Sequence, residues 1–216
     1  MKKLTRNIAL FLAMFALPLT AGCGDDVGHD HHDHDHDGHD HDPNEVMTTV
    51  RLTFVPENGG ETFTATWADP EQDGEPTVDD IKLVNGESYT VTMTVLNELE
   101  DPAEDLTAEL VEESAEHQVF FTGPALQGPA HQDNPEALFD HAYADMDSNG
   151  FPIGYVSTFT AKATGTSTLS LMLRHMPPVN GNAVKTGDLA DVVNSGSATD
   201  LPGSSDINVD FPVIVE

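Results

Sequence analysis

The sequence predicts an all-β fold on three observations. Apolar residues recur with period two, Asn-Gly pairs punctuate the chain, and no apolar stretch beyond residue 45 sustains a helical period. Many short strands joined by tight turns argue for an antiparallel immunoglobulin-like β-sandwich. Shifts in composition place this domain at residues 46–216, after a signal segment at 1–22 and a disordered His/Asp-rich tether at 23–45.

The signal segment opens with Lys2, Lys3 and Arg6. An apolar run at 8–19 follows, too short to span a bilayer as a stable helix. It ends in LTAGC, which resembles a bacterial lipobox with its usual leucine displaced by one position. That likeness implies diacylation of Cys23, the only cysteine, and more than one acyl chain anchors a protein stably to a membrane. An ordinary cleaved signal with an incidental cysteine is the alternative. With no second cysteine there is no disulfide, so the domain must be held by its core.

The chain carries 38 acidic and eight basic residues, a formal net charge of −30. Three of the basic residues belong to the signal. Arg51, Lys82, Lys162, Arg174 and Lys185 remain. A surface of that sign excludes nucleic acid and anionic lipid surfaces as partners and attracts cations. It also serves solubility, above all in salty surroundings.

The tether holds the most explicit chemistry. Residues 28–42 read GHDHHDHDHDGHDHD and contain His29, His31, His32, His34, His36, His39 and His41, seven of the eleven histidines. Neutral imidazole is a common ligand of borderline transition metals, and a flexible chain can bring three or four rings to one ion. The aspartates can bond the second ring nitrogen and raise ligand basicity. Many ligand combinations of similar free energy predict several exchangeable sites of low selectivity. Affinity places Cu2+ above Ni2+ and above Zn2+, while availability makes Zn2+ the expected cargo, with Cu2+ and Ni2+ as alternatives. Binding should fail below about pH 6, as the imidazoles protonate. The alternative is a hydrophilic spacer.

From Val46 onward strands follow in order. Val50, Leu52 and Phe54 alternate with Thr49, Arg51 and Thr53, and Phe63, Ala65 and Trp67 alternate with threonines. Tyr89, Val91, Met93 and Val95 repeat the pattern after a turn at Asn85-Gly86. Asp101 as N-cap and Pro102 at the first helical position open a candidate helix. The segment LTAELVEESAEH at 106–117 continues it as a short acidic helix, or forms a bulged strand. Residues 139–144 and 155–161 read as a hairpin around DMDSNGFPIG. Leu169, Leu171 and Leu173 share a face, residues 180–205 read as a long loop, and Ile207 to Val215 alternate in a last strand. Pro212 there suggests an edge or an outward, unpaired position.

Inside the domain Glu112, Glu113, Glu116 and His117 crowd together ahead of Val119, Phe120 and Phe121. His175 ends the strand LSLMLRH and by alternation faces the side of Leu169, Leu171 and Leu173, at the rim of the core. If the two segments are neighbours, His117, His175 and one carboxylate of Glu113 or Glu116 make a fixed three-ligand site. The alternative is two separate histidines satisfied by backbone carbonyls. His131 and His141 are weaker candidates. Asp145, Asp147, Asn149 and Gly150 read D-x-D-x-N-G, the opening of a calcium loop, but Val156 stands where the closing glutamate belongs, and turn chemistry explains the residues as well. No cysteine nucleophile, G-x-S-x-G elbow, phosphate loop or H-E-x-x-H is present, so catalysis is not expected.

EESAEHQVFF at 112–121, DMDSNGFPIG at 145–154 and LMLRHMP at 171–177 resemble the motif strings of small His-rich lipoproteins of Bacteroidota-type bacteria. The likeness spans most of residues 48–215. These proteins are often labelled "type 1 periplasmic binding fold", a label that does not suit a strand-rich chain. Met176 stands where they commonly carry an acid. The resemblance implies a role beside TonB-dependent receptors in outer-membrane metal uptake. Asp25-Asp26 resembles a surface-export signal and Gly24 lacks the retention aspartate, which implies the outer membrane. The expectation is a lipid-anchored, non-enzymatic metal-binding protein. A surface adhesion or assembly module with a secondary His tract is the alternative.

Overall fold

Threonine and valine alternate so consistently that the strands form where the wet and dry faces separate. The computed structural model describes residues 46–216. The signal segment, Cys23 and the seven tether histidines lie outside the described residues.

The order is β1 (Thr49–Pro56), β2 (Phe63–Ala68), β3 (Thr77–Val78), β4 (Ile81–Leu83), β5 (Ser88–Asn97), β6 (Glu104–Asp105), α1 (Thr107–Glu112), β7 (His117–Thr122), β8 (Leu126–Gln127), β9 (Phe139–Tyr143), β10 (Val156–Ala161), β11 (Gly165–His175), α2 (Leu189–Asn194), a 3-10 turn (Ala198–Asp200) and β12 (Ser204–Val215). The chain is all-β in class. One sheet runs β3-β2-β1-β5-β10-β9-β8, with β6 beside β5, and the other runs β4-β12-β11-β7. Their inner faces share one core, in which Leu52, Phe54, Phe121, Phe159, Leu171 and Phe211 are buried.

The sheets depart from a purely antiparallel pattern at two short pairs, β4 with β12 and β8 with β9, both parallel. β4 meets β12 only at Val213–Val215, so Pro212, though in an inner strand, is exposed where that flank lacks β4. The helix starts later than its Pro102 signal: Glu104–Asp105 pairs with β5 first, and the Asp105 carboxylate accepts the Thr107 N–H at 2.9 Å. Residues 180–205 also differ from a plain loop. They contain α2 and the 3-10 turn, whose Leu189, Ala190 and Leu201 join Phe120, Ala130 and Met176 in a second apolar cluster. Val119 and Phe121 belong to the main core and Phe120 to this second one. β7 is thus an end strand of its sheet with both faces covered.

Candidate metal centre

His117 opens β7, His175 closes β11, and the antiparallel register sets them opposite one another. Alternation places His117 on the face of Val119 and Phe121, and His175 on that of Leu171 and Leu173. Their rings stack with centroids 4.5 Å apart and planes 8° apart. His117 is 0% exposed, whereas His175 keeps an outer edge in water.

The turn after α1 brings the acids in. Glu113 N–H donates to Glu109 O at 3.0 Å, and Glu116 N–H to Glu113 O at 2.8 Å. Glu116 O then accepts Met176 N–H at 2.6 Å, tying the turn to the chain leaving β11. One ligand atom each from Glu113, His117 and His175 lies within 4.8 Å of the other two. Glu116 Oε2 stands 3.8 Å from His175 Nε2, at the open rim. Around a tetrahedral ion bonded at 2.0–2.2 Å, neighbouring ligand atoms lie about 3.3–3.6 Å apart. Glu113 is exposed, His117 buried and His175 half-buried.

A further carboxylate, Asp206, was not legible in the sequence. Register shifts between β11 and β12 so that Leu173 faces Ile207 and Arg174 faces Ser205, leaving Asp206 as the extra residue of a bulge. Plain alternation from Ile207 turns Asp206 outward. The bulge instead turns it in, with Oδ2 3.8 Å from His117 Nε2 and its side chain 7% exposed. Nearby, Arg174 binds the carbonyls of Leu201, Pro202 and Gly203 at 2.7, 2.9 and 2.7 Å and fixes the approach to that bulge.

His117 donates from Nδ1 to Glu113 O at 3.2 Å, since a carbonyl only accepts. Burial, then the neighbouring His175 and Lys185, pull its pKa down to about 4 against the opposing pull of that carbonyl bond. At pH 7 the ring is neutral, so its approach to Asp206 is not an ion pair. Nε2 is buried and makes no hydrogen bond among the described residues. Negative potential gathers here: burial first, then Asp145, Asp206 and Glu113, raise the pKa of Tyr155 above that of an ordinary phenol.

Lys185 pins the same turn. Its Nζ donates to Ser114 O at 2.8 Å and lies 2.9 Å from Asp147 Oδ2, with both side chains essentially out of water. Burial lowers the lysine pKa and Asp147 opposes that shift. Burial also disfavours the Asp147 carboxylate, but Phe151 N–H, Lys185 and Asn149 N–H together hold its pKa below the usual range. Asp145 accepts Gly154 N–H at 2.7 Å and Val156 N–H at 2.8 Å. The D-x-D-x-N-G segment is therefore a turn stapled by its own carboxylates, with an ammonium as its cation. His141 is buried against Phe121 and Phe159 with Nε2 3.2 Å from Ser157 Oγ, and His131 sits in a backbone bridge to Gly128; neither joins the cluster.

Comparison with protein-family models, curated proteins and solved structures found no match.

Proposed function

We propose that this chain is a lipid-anchored, extracytoplasmic metal-binding protein, with no catalytic role, that captures or buffers Zn2+ for an outer-membrane uptake system. The observation that carries this reading is the convergence of His117, His175 and Glu113 at one rim of the core, with Glu116 beside them. A neutral buried imidazole, a half-buried one and an exposed carboxylate together suit a borderline divalent ion. The tether histidines, His29 to His41, supply exchangeable capture ahead of this fixed site, and Cys23 supplies the anchor. Cu2+ and Ni2+ are alternative cargoes, and a TonB-dependent receptor is the proposed recipient. The two sheets sharing one core support an immunoglobulin-like sandwich as the scaffold.

Calorimetric titration with Zn2+ tests the reading on three chains: the parent, one lacking residues 28–42, and one carrying His117→Asn with His175→Asn. Stoichiometry should fall in the second, and the tightest class of site should vanish in the third. Identical isotherms for all three would refute it.

A further inference from the structure

We infer that the stacked histidine pair is the closed arrangement of the site, and that a divalent ion is admitted when the His175 ring turns out of the stack towards the rim. This rests on the metal-binding reading above and adds to it the step by which the ion enters. The argument starts from the direction of a nitrogen lone pair. An imidazole holds a metal through a lone pair that lies in the plane of its ring, at a Zn–N distance of about 2.0–2.1 Å. The planes of the His117 and His175 rings are only 8° apart, and their centroids are 4.5 Å apart. Their lone pairs therefore run in separate, parallel layers. An ion midway between the layers would lie about 2 Å from each plane, the full length of a Zn–N bond, and would meet the ring faces instead of the lone pairs. One ring must turn before both can hold the same ion.

Confinement decides which ring. His117 is 0% exposed and donates from Nδ1 to Glu113 O at 3.2 Å, so its turning would break that bond out of reach of water. His175 is the last residue of β11 and its side chain is 21% exposed. The torsion that turns an imidazole about its Cβ–Cγ bond is broad and soft. The backbone around it is held: β7 pairs His175 with His117, and Met176 N–H donates to Glu116 O at 2.6 Å. The ring can swing while the strand stays. Glu116 Oε2, 3.8 Å from His175 Nε2, marks the side on which it emerges. Magnitudes favour the ion. A ring stack is worth about 2–10-fold in an equilibrium constant. Even the outer partners of a metal ligand contribute about 10–100-fold in affinity, so a second imidazole ligand outweighs the stack it gives up.

Two structures test this, one metal-free and one grown with equimolar Zn2+, both of the whole chain with the seven tether histidines changed to serine. Proton–nitrogen correlation spectra of the histidine rings repeat the reading in solution. With Zn2+ the stack should be lost. The His175 ring should turn until the ion lies in its plane, while the His117 ring keeps its place and its Nδ1 proton keeps its bond to Glu113 O. One nitrogen of each ring should show the shift of a metal-bound imidazole. A His175→Phe chain should keep its rings stacked at the same Zn2+ concentration, because it has no second imidazole to turn. Zn2+ held by His117 with His175 still stacked on it, or held after His117 has turned in place of His175, would overturn the gate and leave metal binding at this rim standing. So would a metal-free chain with the rings already apart, or a His175→Phe chain that loses its stack on adding Zn2+. If Zn2+ shifts no nitrogen of either ring, the metal-binding reading itself falls.

Discussion

His117 and His175 face one another across neighbouring antiparallel strands, rings stacked 4.5 Å apart, with a backbone bond from Met176 to Glu116 closing the end of the pair. Two imidazoles fixed in this way have already spent their ordering entropy in folding. This pair therefore sets the first prediction. Zn2+ at a hundredfold excess over its dissociation constant should stabilise the domain by about 2.7 kcal/mol, read as a rise in melting temperature. His175→Asn should remove most of that rise while changing the metal-free melting temperature little, because His175 is only half-buried.

Acid should weaken the metal-free domain before its carboxylates titrate. Burial holds His141 down to about 3, and burial followed by the charge of His175 holds His117 down to about 4, from an ordinary 6.5. The unfolded chain takes up both protons as pH falls through about 6.5, and the folded chain does not. Stability is therefore complete above 6.5 and declines towards pH 4, by about 1.4 kcal/mol per pH unit for each histidine. Urea midpoints measured across this window in the presence of chelator should show that slope. His141→Gln should flatten it by one histidine's share; an unchanged slope would remove His141 from the account.

Lys185→Met should cost about 3–5 kcal/mol, because it leaves the Asp147 carboxylate buried without its ammonium and deprives Ser114 O of its donor. Adding Asp147→Asn should recover part of the loss. Denaturation of both single variants and the double variant measures the coupling. Strict additivity would show that the pair acts independently.

Gly203→Ala should damage the centre from outside. Gly203 has φ +73°, and a Cβ there would run into the His175 carbonyl. Relief requires the end of β11 to shift, which costs about 1–3 kcal/mol and moves the His175 ring away from His117. A lowered melting temperature with at least a tenfold loss of Zn2+ affinity is expected. Stability loss with intact affinity would contradict the shift.

The sequence carried the strands whose two faces differ. β1, β5 and β12 are readable because polar residues alternate with apolar ones, as Thr49, Arg51 and Thr53, Thr90, Thr92 and Thr94, and Asn208 and Asp210 do, and the face of His175 follows from its distance to Leu169. Three features were hidden for physical reasons. Which strand stands beside β11 depends on a pairing some fifty residues apart in the chain, and no local pattern specifies it. Asp206 breaks alternation through a bulge, which leaves no composition signal. The two short helical turns at 189–200 carry only scattered apolar residues among Gly, Ser and Asp, so their burial against Phe120 reflects tertiary packing rather than periodicity. The Asp101-Pro102 signal misled because β5 captures Glu104–Asp105 before the helix can begin.

With Lys185 lodged against Asp147, the loop at 145–154 holds its shape without help from dissolved ions. To enter, calcium would have to evict a primary amine that also grips Ser114, and would gain no seventh-ligand glutamate in return. Swings in the hardness of the surrounding water should therefore leave the geometry of the neighbouring histidine pair untouched.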